Sequence, residues 1–240
     1  MTAVIEYALM AGASYISTRS EINQFSVPDG WLEAVDERRT LPSGFEATYF
    51  TNGTEIVISF AGTGTAVDWI ANSDLATGYY TAQLLQAAEY YLQVKNDPAN
   101  AGKTISFTGH SLGGGLAALV GVFFGVTATT FDQAPFANAA EEPSLLTPDV
   151  AARLKADLLA AGYTENQLTG LTDFLYWRGI NGGIPNSDLV SNLSVQGEIL
   201  SSAPATVFDR IGTQWTTGEI RNSASGVSRP QGRSLIEISQ

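Results

Sequence analysis

Apolar and polar positions alternate most clearly between residues 45 and 60. Phe45-Glu-Ala-Thr-Tyr-Phe50 and Glu55-Ile-Val-Ile-Ser-Phe60 are rich in β-branched and aromatic residues and flank Asn52-Gly53, a dipeptide suited to tight hairpin turns. This predicts an antiparallel hairpin whose second strand delivers the chain to Gly62-Thr63. From Tyr79 to Lys95 the period changes: Leu84, Leu85, Ala88 and Leu92 recur at helical spacing, with Tyr80, Tyr90 and Tyr91 alongside. A helix is expected there, its tyrosines packing against a sheet and Asp97-Pro98 ending it. Residues 104–108 then read as a short strand, 111–124 as a helix rich in Leu and Ala, and Thr127-Ala-Thr-Thr-Phe131 as the next strand. Strand, helix and strand joined by short connections imply a parallel, right-handed unit.

The outer parts are less regular. Residues 2 to about 24 read as a helix with Ile5, Leu9 and Ile16 near one face. Pro28-Asp-Gly30 and Pro42-Ser-Gly44 read as turns, and the charged run Glu33 to Arg39 between them as exposed. The stretch from about 137 to 190 carries helical patterns over 150–162 and 165–176. Leu193 to Leu200 reads as the last strand that matters for chemistry. The tail from Thr216 holds Gly, Ser and Pro before the short apolar segment Leu235-Ile-Glu-Ile238.

Between the strand at 104–108 and the helix after it stands Gly109-His110-Ser111-Leu112-Gly113-Gly114-Gly115, which contains Gly-x-Ser-x-Gly. In a strand-to-helix context this is a nucleophile elbow: a sharp turn whose glycines let neighbouring backbone pass and whose serine hydroxyl projects clear of the chain. The Leu112 amide and the helix N-terminus then face any negative charge that develops at Ser111.

These residues resemble the class 3 (fungal-type) lipases of the α/β-hydrolase fold. A second block supports the resemblance: Ile56-Val-Ile-Ser-Phe60-Ala61-Gly62-Thr63, then Asp68-Trp69-Ile70 and Asp74-Leu75. It is similar to the family's strand ending in Phe-Arg-Gly-Thr/Ser, except that Ala61 replaces the arginine. The likeness extends over about residues 45–135; against it, the stretch from about 137 to 190 is longer than the family usually has at this point and reads as an inserted helical cap, which would line an acyl-chain pocket, close as a lid, or simply embellish the fold. The likeness implies an α/β architecture, a mostly parallel central sheet flanked by helices, in a single domain spanning 1–240. It also implies ester hydrolysis through an acyl-enzyme on Ser111, with the Leu112 and Thr63 amides as the oxyanion hole and a late acid orienting a histidine base. Glu198, in Val-Gln-Gly-Glu-Ile-Leu, resembles the family's acid position; Asp188 and Asp209 are alternatives. Asp132 ends the strand after the nucleophile and has at most a supporting part.

The base is the difficulty. The sequence contains one histidine, His110, inside the elbow, where its side chain belongs on the opposite side of the turn from the serine hydroxyl. The family's late histidine would fall near Gly226 to Ser234, and that stretch has none. Three readings stay open: the chain stops before the histidine segment, it has lost the histidine and much of its activity, or it is a non-catalytic binding protein on a lipase scaffold.

Composition narrows the classes. Twelve basic against twenty-four acidic residues give a net charge of −12, which argues against nucleic acid and against docking on anionic membranes. The expected partner is a lipid or small ester, met by transient contact with a lipid interface. No apolar run is long enough to span a bilayer, and the N-terminus lacks the basic region of a secretory signal. With no cysteine and no His/Cys cluster, neither a metal nor an organic cofactor is expected. Triacylglycerol lipase, phospholipase A1 and esterase are not separated by the sequence.

Overall fold

The computed structural model describes residues 2–17, 25–62, 81–143, 149–195 and 209–216. Among them eight strands form one sheet: β1 (Leu32–Glu33), β2 (Arg39–Thr40), β3 (Glu46–Thr51), β4 (Glu55–Phe60), β5 (Thr104–His110), β6 (Ala128–Phe131), β7 (Val190–Ser194) and β8 (Thr213–Thr216). Their order is β1-β3-β4-β5-β6-β7-β8, with β2 beside β3. The first four strands pair antiparallel; β4 through β8 are parallel.

This order determines where the helices go. Five parallel strands laid down consecutively in one direction, with crossovers of one hand, put every connecting helix on the same face. That face carries α2 (Ala82–Asn96), α3 (Leu112–Phe124), α4 (Ala137–Ala140), α5 (Val150–Ala160) and α6 (Thr169–Asn181). The N-terminal helix α1 (Val4–Ala13) covers the other.

Side-chain parity along the strands shows the division. On β4, Ile56, Ile58 and Phe60 join the main core beneath α2 and α3, while Val57 packs with Met10, Trp31 and Phe50, and Ser59 donates to the Met10 carbonyl. On β5, Phe107 meets Tyr91 edge-on, whereas Ser106 and Thr108 bond to Tyr7. Of the tyrosines expected to pack against the sheet, Tyr90 and Tyr91 are both buried, while Tyr80 lies outside the described residues.

Helix α3 is buried along its whole length. It is flanked by α2 and by α6, where Phe174 stands edge-on to Phe123. Leu154 and Leu158 of α5 and Leu168, Leu171 and Phe174 around α6 belong to this same core. Arg178, almost fully buried, ties α6 to the chain leaving α4: it donates to the Glu141 carbonyl at 3.0 Å and to Asp149 Oδ2 at 2.6 Å.

Several local expectations need correction. Helix α1 ends at Ala13 instead of running on to about residue 24, and Ile5 is exposed. The chain after it is drawn into other bonds: Tyr15 to His110, and Ile16 and Ser17 to the buried carboxylate of Glu46. The late strand begins at Val190, three residues before Leu193, and Val195 after it donates its amide to Asp132; residues 196–200 of the expected strand lie outside the described residues. The run 33–39 is not simply an exposed loop. It holds β1, a 3-10 turn at Val35–Glu37 and β2, with Arg38 bidentate on Glu33. Strand β8 was not expected at all.

Candidate functional site

The edge of the parallel sheet at the strand C-termini assembles the site. Strand β5 ends at His110, and α3 begins at Leu112, so Ser111 alone makes the turn. Its backbone is at φ 56° and ψ −123°, a conformation that a side chain adopts only under constraint, at a cost of about 1–3 kcal/mol. Three hydrogen bonds hold it: the Ser111 amide to the Phe131 carbonyl, and the Gly115 and Ala134 amides to the Ser111 carbonyl, at 3.0–3.1 Å.

The glycines make the turn possible by close approach. A Cβ on Gly109 would run into the backbone of Gly113, and one on Gly113 into the carbonyl of Phe60. Helix α3 thus leaves the strand pressed against the end of β4. The Leu112 amide lies in the first helical turn, where no intrahelical acceptor exists, so it is available to an anion.

Phe60, Ala61 and Gly62 carry β4 to the same place. A Cβ on Gly62 would stand 3.3 Å from Ser111 Cβ, 2.9 Å from the His110 carbonyl and 2.6 Å from the Tyr15 hydroxyl. The segment that leads to Thr63 therefore starts beside Ser111. Thr63 itself lies outside the described residues, as do Glu198 and the stretch 226–234.

Parity explains His110. It shares the α1 face with Ser106 and Thr108, so its ring points away from the helical layer and meets Tyr15: Nδ1 is 2.8 Å from the Tyr15 hydroxyl. Nε2 is 3.9 Å from Asp132 Oδ2. Asp132, with φ 44°, ends β6 and is itself buried; its Oδ1 accepts the Val195 amide at 2.8 Å. Burial pushes the Asp132 carboxyl above its ordinary value, partly offset by the Val195 amide and by Arg210.

Both alternative acids are exposed. Asp188 is exposed in the 3-10 turn before β7, at the edge of the sheet opposite the elbow. Asp209 is also exposed, and its backbone carbonyl accepts the Ala137 amide.

Sequence reasoning missed Tyr15, for which no local signal exists, and a buried amide network below the site. Gln133 donates from its side chain to Thr130 and exchanges bonds with Ile211 at 2.9 and 3.3 Å. Asn192 accepts from Thr130 and from the Gln133 amide, and donates to Ser194 and Gln214. The network fastens β8 to β6 and β7. Among the described residues no cluster of His, Cys, Asp or Glu could hold a metal, and no helix is long and apolar enough to cross a membrane.

A parallel sheet in this order, with a strained serine between β5 and α3, defines an α/β-hydrolase fold. Residues 6–231 match the phospholipase-like family described as the Tle-like phospholipase domain, and the chain belongs to that family. Over 92 residues it is 41% identical to an extracellular phospholipase A1 of Serratia liquefaciens, a stretch that makes up 38% of this chain and 28% of that protein. The match thus spans less than a third of that relative. Similar solved structures include the native lipase–propeptide complex of Rhizomucor miehei, at 16% identity, 89% of this chain, 67% of that chain and a TM-score of 0.47. A triacylglyceride lipase of Rhizomucor miehei gives 15%, 89%, 78% and 0.48.

Proposed function

We propose that this chain hydrolyses carboxylic esters of lipids, phospholipids first, by acyl transfer to Ser111. The observation that carries the reading is the strained Ser111 turn, with the Gly62 backbone against its Cβ on one side and the first turn of α3 on the other. Membership of a phospholipase-like family and the local identity to a phospholipase A1 support phospholipid over triacylglycerol. Ser111 Oγ attacks the ester carbonyl, and the oxyanion is held by the Leu112 amide and by Thr63. The alcohol leaves with a proton, and water releases the acid from the acyl-serine. Glu198 is proposed as the acid.

The only histidine in this sequence bonds to Tyr15 and faces Asp132, so it is not free to take the serine proton. Turnover without a further base is expected to be slow, sustained by binding and oxyanion stabilisation. The same observation favours a second reading, a lipid-binding protein that does not turn over. Dispersed phosphatidylcholine, a triacylglycerol, and p-nitrophenyl butyrate and palmitate presented in parallel decide between them. Fatty acid released from phosphatidylcholine by wild type and not by Ser111→Ala supports hydrolysis. Binding without release supports the second reading.

A further inference from the structure

The surroundings of His110 are specific. The side chain joins the ends of four segments. Tyr15 comes from the turn after α1 and is buried, with its hydroxyl 2.8 Å from Nδ1. With the phenol donating to Nδ1, the imidazole proton sits on Nε2, which faces Asp132 Oδ2 at 3.9 Å, beyond a direct hydrogen bond. Asp132 holds the Val195 amide through its other oxygen. On the near side, the Tyr15 hydroxyl lies against the Gly62 Cα, where a Cβ would be only 2.6 Å from it.

Each end of this chain of contacts therefore abuts a segment that the proposed reaction needs. Gly62 precedes Thr63, the second oxyanion donor, and Val195 stands three residues before Glu198, the acid. The nucleophile is between them, one residue from His110. Side-chain direction is fixed by strand parity, so the contacts follow from where β5 places residue 110.

We propose that His110 is a positioning residue that, with Tyr15 and Asp132, clamps the oxyanion segment at Gly62 and the acid segment at Val195 to the Ser111 elbow. The proposal rests on the reading of the chain as a serine ester hydrolase. It accounts for a histidine at a position where an apolar residue would fill the same space, and for the phenol that meets it 95 residues away in sequence. A small displacement of either segment lowers the rate of acyl transfer more than it lowers ester binding, since the groups being positioned act on the transition state.

Tyr15→Phe keeps the ring and removes only the hydroxyl. His110→Asn keeps an acceptor near the Nδ1 position, whereas His110→Ala removes the clamp. On a soluble p-nitrophenyl ester, Tyr15→Phe is expected to lower kcat by about tenfold with KM within about twofold of wild type. His110→Asn should recover part of the activity lost in His110→Ala, and thermal melting of Tyr15→Phe checks that the fold is intact. A Tyr15→Phe enzyme whose kcat stays within about twofold of wild type overturns the clamp and leaves ester hydrolysis standing. So does a variant that raises KM alone. If wild type shows no Ser111-dependent turnover, the hydrolase reading falls and takes the positioning role with it.

Discussion

Gly113 lies so close to Phe60 that a Cβ on it would overlap the Phe60 carbonyl. The first turn of α3 and the last residue of β4 are in backbone contact there, and that contact delivers Gly62 to Ser111. Because the obstacle is backbone, no side-chain rotation relieves it. Gly113→Ala is expected to cost stability by more than about 3 kcal/mol or to prevent folding, measured by thermal melting and soluble yield.

Gly179 in α6 predicts the opposite sign. Nothing lies within 4 Å of a Cβ built there, and the residue sits inside a helix. Gly179→Ala should stabilise the protein by about 0.5–1 kcal/mol through helix propensity alone, read as a higher melting temperature or denaturant midpoint.

The Arg178–Asp149 pair anchors the α5–α6 unit. The Arg178 side chain is 4% exposed, and Asp149 also caps α5 by accepting the Ala152 amide at 3.0 Å. Removing the guanidinium takes this donor from Asp149 Oδ2 and from the Glu141 carbonyl. Arg178→Ala should therefore cost about 3 kcal/mol in urea unfolding. By contrast, Glu165→Gln at the open Lys155 pair, where the carboxylate is 65% exposed, should change stability by less than about 0.5 kcal/mol.

Glu89 on α2 gives a pH signature. Desolvation raises its carboxyl above the ordinary value of 4.5. The folded state therefore binds this proton more tightly than the unfolded chain. The stabilising contribution is complete below 4.5 and is lost as pH rises through the raised folded value. Glu89→Gln should accordingly melt at or above wild type near neutral pH, and that advantage should shrink as the pH is lowered toward 4.5. An advantage that grows on acidification would contradict the assignment.

Much of the fold could be read from periodicity. The hairpin β3–β4, the helix α2 and the β5–α3–β6 unit follow from alternation, helical spacing and turn residues, because each buries one face against a neighbour adjacent in sequence. The elements that escaped depend on distant partners. Helix α1 stops early because Tyr15, Ile16 and Ser17 are claimed by His110 and Glu46. Strand β8 has four residues and is held by Gln133 and Asn192, neither of which marks it locally. At the site, Ser111 and its glycines were legible because the elbow is a local steric problem. The facing of His110 was legible too, from its place in the elbow turn before Ser111. Its partner Tyr15 was not.

The most direct test of the central claim is covalent titration of Ser111 by a fluorophosphonate, followed by peptide mass mapping, beside the Ser111→Ala variant. The account predicts one adduct per chain, on the peptide containing Ser111, with ester hydrolysis falling in proportion to labelling and absent from the variant. Hydrolysis that survives Ser111→Ala, or an adduct on another residue with Ser111 unmodified, would contradict it.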